Sequence, residues 1–254
     1  MIAVLVALIA ATTAAAAEPT VLITGANRGI GLEFARQYTA KGWTVIATAR
    51  DPVTADKLNE LAKGRANLIV ERMDVTNGAE IASVADRHKD RAIDVLINNA
   101  GVSGDFQGPS QAFGTLDYAA GAEAWAVNVE GPIRVTEAFY GNVKRGAQKK
   151  VVSITALLGV HSFNYGGFDG AYWYKISKAA MNAAMANLAR EAARDGITVA
   201  LLTPGEVAVE KVKAPGPNFI APAVSIGGMI EVIDKLTPAD AGAIIRYNGT
   251  RYPF

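Results

Sequence analysis

Tyr174-Lys175-Ile176-Ser177-Lys178 places a phenol and an ammonium four residues apart in a segment that reads as a helix, so both side chains share one helix face. A tyrosine that exchanges a proton readily near neutrality must be brought down from an ordinary pKa of about 10, which takes roughly 4 kcal/mol. An ammonium about 5 Å away supplies roughly 3 kcal/mol at an effective dielectric near 20. The pair therefore suits a proton donor for carbonyl reduction, and the ammonium could also hold a sugar hydroxyl. The same spacing also occurs on ordinary solvated helices, so the remainder of the chain has to decide.

The elements that would position this pair alternate between strand and helix. Strand Thr20 to Thr24 runs into Gly25-Ala26-Asn27-Arg28-Gly29-Ile30-Gly31 and then a helix, Leu32 to Ala40. Glycines there let a backbone approach a pyrophosphate, and the helix N-terminus offers unpaired N–H groups to the anion. A second strand, Trp43 to Ala49, ends in Arg50, where an NAD site usually carries an acid for the ribose 2'-hydroxyl. Arg50 and Arg28 together suit a 2'-phosphate, which favours NADP(H) over NAD(H). Asp51 reads as the N-cap of a helix Val53 to Ala62, with Pro52 at its first position.

Strand Asn67 to Met73 ends in Asp74-Val75, where Asp74 either accepts from an adenine amino group or caps the helix Asn77 to His88. Strand Asp94 to Ile97 runs into Asn98-Asn99-Ala100-Gly101, a turn small enough for a flat cofactor to lie against. A helix from Asp117 to Val143 carries Asn128, which needs partners if it is buried. Strand Val151 to Thr155 precedes Ala156 and Gly159. The helix of Tyr174 and Lys178 continues to Arg194, and strand Ile197 to Leu202 closes into Thr203-Pro204-Gly205. Helix Val224 to Leu236 and a short strand Ala243 to Tyr247 finish the chain. Seven strands alternating with helices specify one α/β domain, a doubly wound, mostly parallel Rossmann-type sheet over residues 18–254 with ligands at the strands' carboxyl ends. Loops 104–114, 160–170 and 207–223 would shape the substrate pocket, with Phe163, Tyr165 and Phe168 available to line it.

Composition narrows the function. The 254 residues carry a formal net charge of +1 without a dense Lys/Arg block, which argues for small-molecule chemistry and against nucleic acid. The absence of cysteine removes disulfides and thiolate chemistry, and His88 and His161 are too few for a histidine-rich metal site. Residues 1–17 form an apolar leader with an Ala-x-Ala-like end, read as an export signal too short to span a bilayer. Cleavage would place the mature protein in the periplasm or outside the cell, and retention would leave it in the cytoplasm.

The motif Thr24 through Gly31, Asn98-Asn99-Ala100-Gly101, Asn128, Tyr174 through Lys178 and Pro204-Gly205, in this order and spacing, resembles the short-chain dehydrogenase/reductase family. The C-terminal stretch Val232 to Thr250 further resembles the C-factor-like and sniffer-like carbonyl reductases. The resemblance implies hydride transfer between a nicotinamide and a carbonyl or alcohol, with Tyr174 as acid/base and Lys178 lowering its pKa and holding the ribose. Asn128 would support a proton relay. Gly25, Asn27, Arg28, Gly29, Ile30, Gly31, Arg50, Asp74, Val75, Asn98, Ala100, Gly101, Tyr174, Lys178, Pro204, Gly205 and Val207 would contact the dinucleotide. Pairing into a homodimer or homotetramer is implied by family analogy.

The chain departs from the family pattern where a serine normally bonds the substrate oxygen, since Ala156 stands there and Thr155 offers a hydroxyl one residue early. Val209 replaces a threonine that contacts the carboxamide, and Glu206 an aromatic residue. An inactive dinucleotide-binding homologue that serves as a sensor or interaction module is the alternative reading.

Overall fold

The structure, a computed structural model, describes residues 18–106, 108–161, 170–210, 212 and 216–253. The leader expected at 1–17 and the aromatic trio Phe163, Tyr165 and Phe168 lie outside the described residues.

Eight strands form one sheet: β1 (Thr20–Ile23), β2 (Thr44–Ala49), β3 (Leu68–Arg72), β4 (Val95–Asn98), β5 (Lys150–Ile154), β6 (Thr198–Thr203), β7 (Ile244–Arg246) and β8 (Arg251–Tyr252). Their spatial order is β3-β2-β1-β4-β5-β6-β7-β8, parallel throughout except for the β7–β8 pair. The expectation of seven strands is corrected by β8. Gly249 at φ 86 turns the chain, and the Arg246 N–H donates to the Thr250 carbonyl at 2.7 Å. A strand of two residues is too short to leave an alternating pattern in the sequence.

The central strands are continuous runs of buried β-branched and aliphatic residues because helices cover both faces. On one face α1 (Gly29–Ala40) and α7 (Pro222–Lys235) pack Phe34, Tyr38, Met229 and Ile233 against Val21, Val45 and Val95. On the other, α3 (Gly78–Arg87), α5 (Gly131–Arg145) and α6 (Tyr172–Ala192) pack Val84, Phe139, Met181 and Met185 against Leu22, Leu96 and Val199. Two shorter helices, α2 (Asp56–Ala62) and α4 (Tyr118–Trp125), complete the set. Strand order reverses between β1 and β4, and the crevice at their carboxyl ends is where such sheets bind ligands. At the opposite edge Asp94 ties the strand entries together, accepting from the amides of Thr20 at 2.8 Å and Ala147 at 2.9 Å.

The helix expected over Asp117 to Val143 is interrupted. A π-helical turn, Ala126–Glu130, joins α4 to α5 and carries Asn128. Pro132 has no N–H for an α-helical bond and its ring clashes with the preceding turn, so the local widening accommodates it. Asp51 caps no helix. Its carboxylate accepts from the Val53 amide at 3.1 Å and the Thr54 hydroxyl at 3.0 Å, which delays α2 to Asp56. Among the described residues no helix is long and apolar enough to cross a membrane.

Candidate active site

The glycine turn is bound to its neighbours before any ligand is considered. The Thr24 hydroxyl accepts from the amides of Asn99 and Ala100, both at 2.9 Å. The Asn99 side chain returns the bond, donating to the carbonyls of Thr24 at 2.8 Å and Gly25 at 3.1 Å. The sequence places Thr24 and Asn99 in two separate motifs, and their bond to each other emerges only in the fold. Gly25, at φ 64, sits so close to Ala100 that a β-carbon would come within 2.9 Å of its Cα. A β-carbon on Gly31 would meet the Gly25 carbonyl at 2.4 Å. Both positions therefore require glycine.

This cradle fits a dinucleotide phosphate. Gly29 opens α1 at φ 56, and the first amides of the helix have no partner within it. The Ala26 amide donates to the Thr48 carbonyl of β2 at 2.8 Å, which brings the turn against the strand that ends at Arg50. Arg28 and Arg50 are both exposed, and among the described residues neither has an acidic partner. One such guanidinium in the glycine turn and another just past β2 suit a 2'-phosphate. Asn27 lies half-buried in the same turn, and Ile30 packs partly against the core behind it.

The other expected cofactor positions divide. Asp74 accepts from the amide and the hydroxyl of Thr76 through one oxygen, at 2.9 and 2.8 Å. It does not cap α3, because Asn77 does, accepting from Ala79 and Glu80. Val75 turns inward, where a β-carbon on Gly131 would meet it at 2.9 Å. The Asn98 side chain is likewise buried, donating to the Thr136 hydroxyl at 3.0 Å. The Pro204 carbonyl accepts from Ser225 at 2.7 Å, Gly205 adopts φ 76, and Val207 pairs with Ile220.

Tyr174 and Lys178 do lie together on α6. Lys178 Nζ is 5.9 Å from the Tyr174 ring centroid and donates to the Ile154 carbonyl at the end of β5 at 2.8 Å. Close approach is possible because Gly159 has no side chain; a β-carbon there would stand 2.7 Å from the Lys178 backbone. The Lys178 ammonium is also 3.7 Å from the point a β-carbon on Gly101 would occupy, with Asn128 Oδ1 at 3.2 Å from the same point.

Burial dominates the electrostatics of the pair. It pushes the Tyr174 hydroxyl up to about 12 and the Lys178 ammonium down to about 8. The expectation of a phenol lowered by its lysine is therefore corrected. Desolvation outweighs the attraction, and the ammonium itself is destabilised by the same dry surroundings.

Asn128, fully buried, has the partners it needs. Its Oδ1 accepts from the Val102 amide at 2.8 Å, and its Nδ2 donates to the Val102 carbonyl at 2.8 Å and the Ser177 hydroxyl at 3.0 Å. It thus locks the strand-end loop to α6 beside Lys178. Asn128→Ala would leave both Val102 backbone groups unpaired, at a cost of about 2–5 kcal/mol. The melting temperature should fall by roughly 5–15 °C, as read by thermal unfolding. A fall below about 2 °C would show that water replaces these bonds at no cost.

A second positioning group escaped the sequence. Ala171, the residue before α6, is held at φ 50 and supplies no capping side chain. Gln111 takes over, accepting from the Tyr174 amide at 3.1 Å while donating to the Ser103 carbonyl at 2.6 Å. Because Gln111 is 63 residues away in the chain, no local pattern could announce it.

Thr155 is placed away from this chemistry. Its buried hydroxyl donates to Asn182 Oδ1 at 2.6 Å, and Asn182 lies two turns beyond Tyr174 on α6. Ala156, half-buried and extended at φ −138 and ψ 149, follows on the alternate side of the strand end without a hydroxyl. A separate cleft of about 270 Å³ opens between α4 and α6, lined by Tyr118, Trp125, Trp173 and Ile176, and does not include Tyr174 or Lys178.

A parallel sheet with its switch point at β1 and β4, a glycine turn feeding α1, and a Tyr–Lys pair at the end of β5 define a dinucleotide-fold oxidoreductase. The family model for short chain dehydrogenase matches residues 19–217, and the chain belongs to that family. C-signal of Myxococcus xanthus is 39% identical over 163 residues, 64% of this chain and 93% of its own. An oxidoreductase of Schizosaccharomyces pombe is 32% identical over 259 residues, covering 92% of this chain and 96% of its own. The structure of an NADPH-bound carbonyl reductase from chicken fatty liver matches with a TM-score of 0.85 at 28% identity, over 93% of this chain and 99% of that one.

Proposed function

We propose that this protein is an NADP(H)-dependent carbonyl reductase in which Tyr174 donates the proton. The observation that carries the reading is the cluster at the switch point, with Tyr174 and Lys178 on one face of α6, Lys178 anchored to Ile154, and Asn128 beside them. Arg28 and Arg50 would hold the 2'-phosphate, and the α1 amides the pyrophosphate. The NADPH of the chicken carbonyl reductase supports this choice of cofactor. When bound, the nicotinamide supplies or accepts the hydride.

Tyr174 holds the proton that a developing alkoxide takes from its hydroxyl oxygen. With its pKa near 12 the hydroxyl is protonated throughout the neutral range, yet it remains a stronger acid than an alcohol. The same value handicaps the reverse reaction, which needs the tyrosinate. Carbonyl reduction should therefore be flat from about pH 6 to 8, while alcohol oxidation rises about tenfold per pH unit in that window. Above the Lys178 value of about 8, loss of the ammonium removes support for the tyrosinate, so the rise becomes shallower. Initial rates in both directions across this range test the reading, and pH-independent oxidation would contradict it.

Ala156 and the commitment of Thr155 to Asn182 favour a second reading, a dinucleotide-binding homologue with little or no hydride transfer. Tight NADPH binding without turnover of any carbonyl would identify it.

A further inference from the structure

Residues 206–210 run back over the glycine turn. Their base is a parallel bridge between Val207 and Ile220, with the Ala208 amide donating to the Ile220 carbonyl at 3.0 Å and the Ile220 amide to the Glu206 carbonyl at 2.7 Å. The Val209 amide donates to the Val207 carbonyl at 2.8 Å, a tight turn that directs the next residue toward α1. As a result, the point a β-carbon on Gly29 would occupy is 3.5 Å from Val209 Cγ1 and 3.8 Å from Glu210 Oε2. The other carboxylate oxygen of Glu210 pairs with Lys57 Nζ of α2 at 2.8 Å.

Glu210 therefore places a carboxylate beside Gly29, the first residue of α1, with a lysine fixing it from the side. A helix N-terminus attracts any anion, and the features that favour this carboxylate are those that would favour a pyrophosphate. The Lys57 ammonium, together with the amides of Glu210 itself and Gly29, holds the carboxyl below the usual range, so it is ionised at neutral pH. Neither partner is buried deeply enough for the pair to be permanent, since the Lys57 and Glu210 side chains are 61% and 44% exposed.

We propose that Glu210 is an internal competitor for the cofactor's pyrophosphate, an autoinhibitory contact that must leave the Gly29 amide before a dinucleotide is seated. This inference rests on the reading of the site as a dinucleotide site. It locates a control on cofactor affinity in the residues that follow Pro204-Gly205. A contact closed in about 80–90% of molecules weakens apparent affinity roughly five- to tenfold, because only the open fraction binds.

The test is equilibrium titration of the full chain and its Glu210→Gln variant with two ligands. NADPH, followed by its fluorescence, carries the pyrophosphate; 2'-AMP, followed by calorimetry, carries the adenosine and 2'-phosphate without it. The expected result is an NADPH Kd about five- to tenfold lower in Glu210→Gln, with the 2'-AMP Kd unchanged. Equal tightening of both ligands would overturn the proposal, because it would reflect only the loss of a negative charge nearby. An unchanged or weakened NADPH Kd would overturn it as well. Failure of both proteins to bind either ligand would overturn the cofactor reading itself, and the competition with it. Glu210→Asp keeps the charge but shortens the reach by one methylene, so it should tighten NADPH and leave 2'-AMP alone; wild-type NADPH affinity in this variant would overturn the role of contact with Gly29.

Discussion

Tyr174→Phe is expected to lower NADPH-dependent carbonyl reduction by about 10²–10⁴-fold, the usual contribution of a positioned general acid. The substitution removes one oxygen and little else. Phe106 meets the Tyr174 ring edge-on at 5.3 Å between centroids, a contact that a phenyl ring preserves. The bond to Gln111 is donated by the backbone amide of residue 174 and is also untouched. NADPH affinity should therefore change by less than about threefold, so the loss falls on kcat. Steady-state rates paired with fluorescence titration of NADPH separate the two effects. A variant that reduces carbonyls at the wild-type rate would remove Tyr174 from the chemistry.

The second large effect runs in the opposite direction. Ala156→Ser is expected to raise kcat for carbonyl reduction by roughly 100-fold, since a single oxyanion donor is typically worth 10²–10³-fold. Ala156 is half-buried in extended backbone at the end of β5, so a hydroxyl can be added without forcing the chain into an unfavourable conformation. Thr155 does not replace the missing donor, because its proton already goes to Asn182. Rates of wild type and variant on the same carbonyls decide the matter. If the serine changes nothing, the wild-type site already possesses an oxygen-binding donor and the departure at Ala156 has no kinetic meaning.

The parts of this site that could be read from the sequence are those carried by local spacing. Tyr174 and Lys178 depend only on helix geometry, and Gly25, Gly29 and Gly31 depend on one turn between a strand and a helix. The parts that could not be read depend on contacts between distant segments. Gln111 reaches the Tyr174 amide across 63 residues, Asn99 reaches Thr24 across 75, and Glu210 reaches Lys57 across 153. The widened turn at Asn128 has a local cause in Pro132, which the reading of one unbroken helix from Asp117 to Val143 ran past. Strand β8 was missed because two residues carry no period. The direction of the Tyr174 shift was misjudged for a different reason. Charge spacing is visible in a sequence, whereas the burial that outweighs it exists only once the folded chain encloses the pair.

The central claim, hydride transfer assisted by Tyr174, is tested most directly by isotope tracing. The full chain would be incubated with NADPH deuterated at C4, in separate samples on each face, and a panel of aldehydes, ketones and quinones, and the products analysed by mass spectrometry. Deuterium at the carbinol carbon from one face only, lost in Tyr174→Phe, is the predicted result. NADPH that binds but delivers no deuterium to any carbonyl, in both the wild type and Ala156→Ser, would contradict the account and leave the dinucleotide-binding homologue in its place.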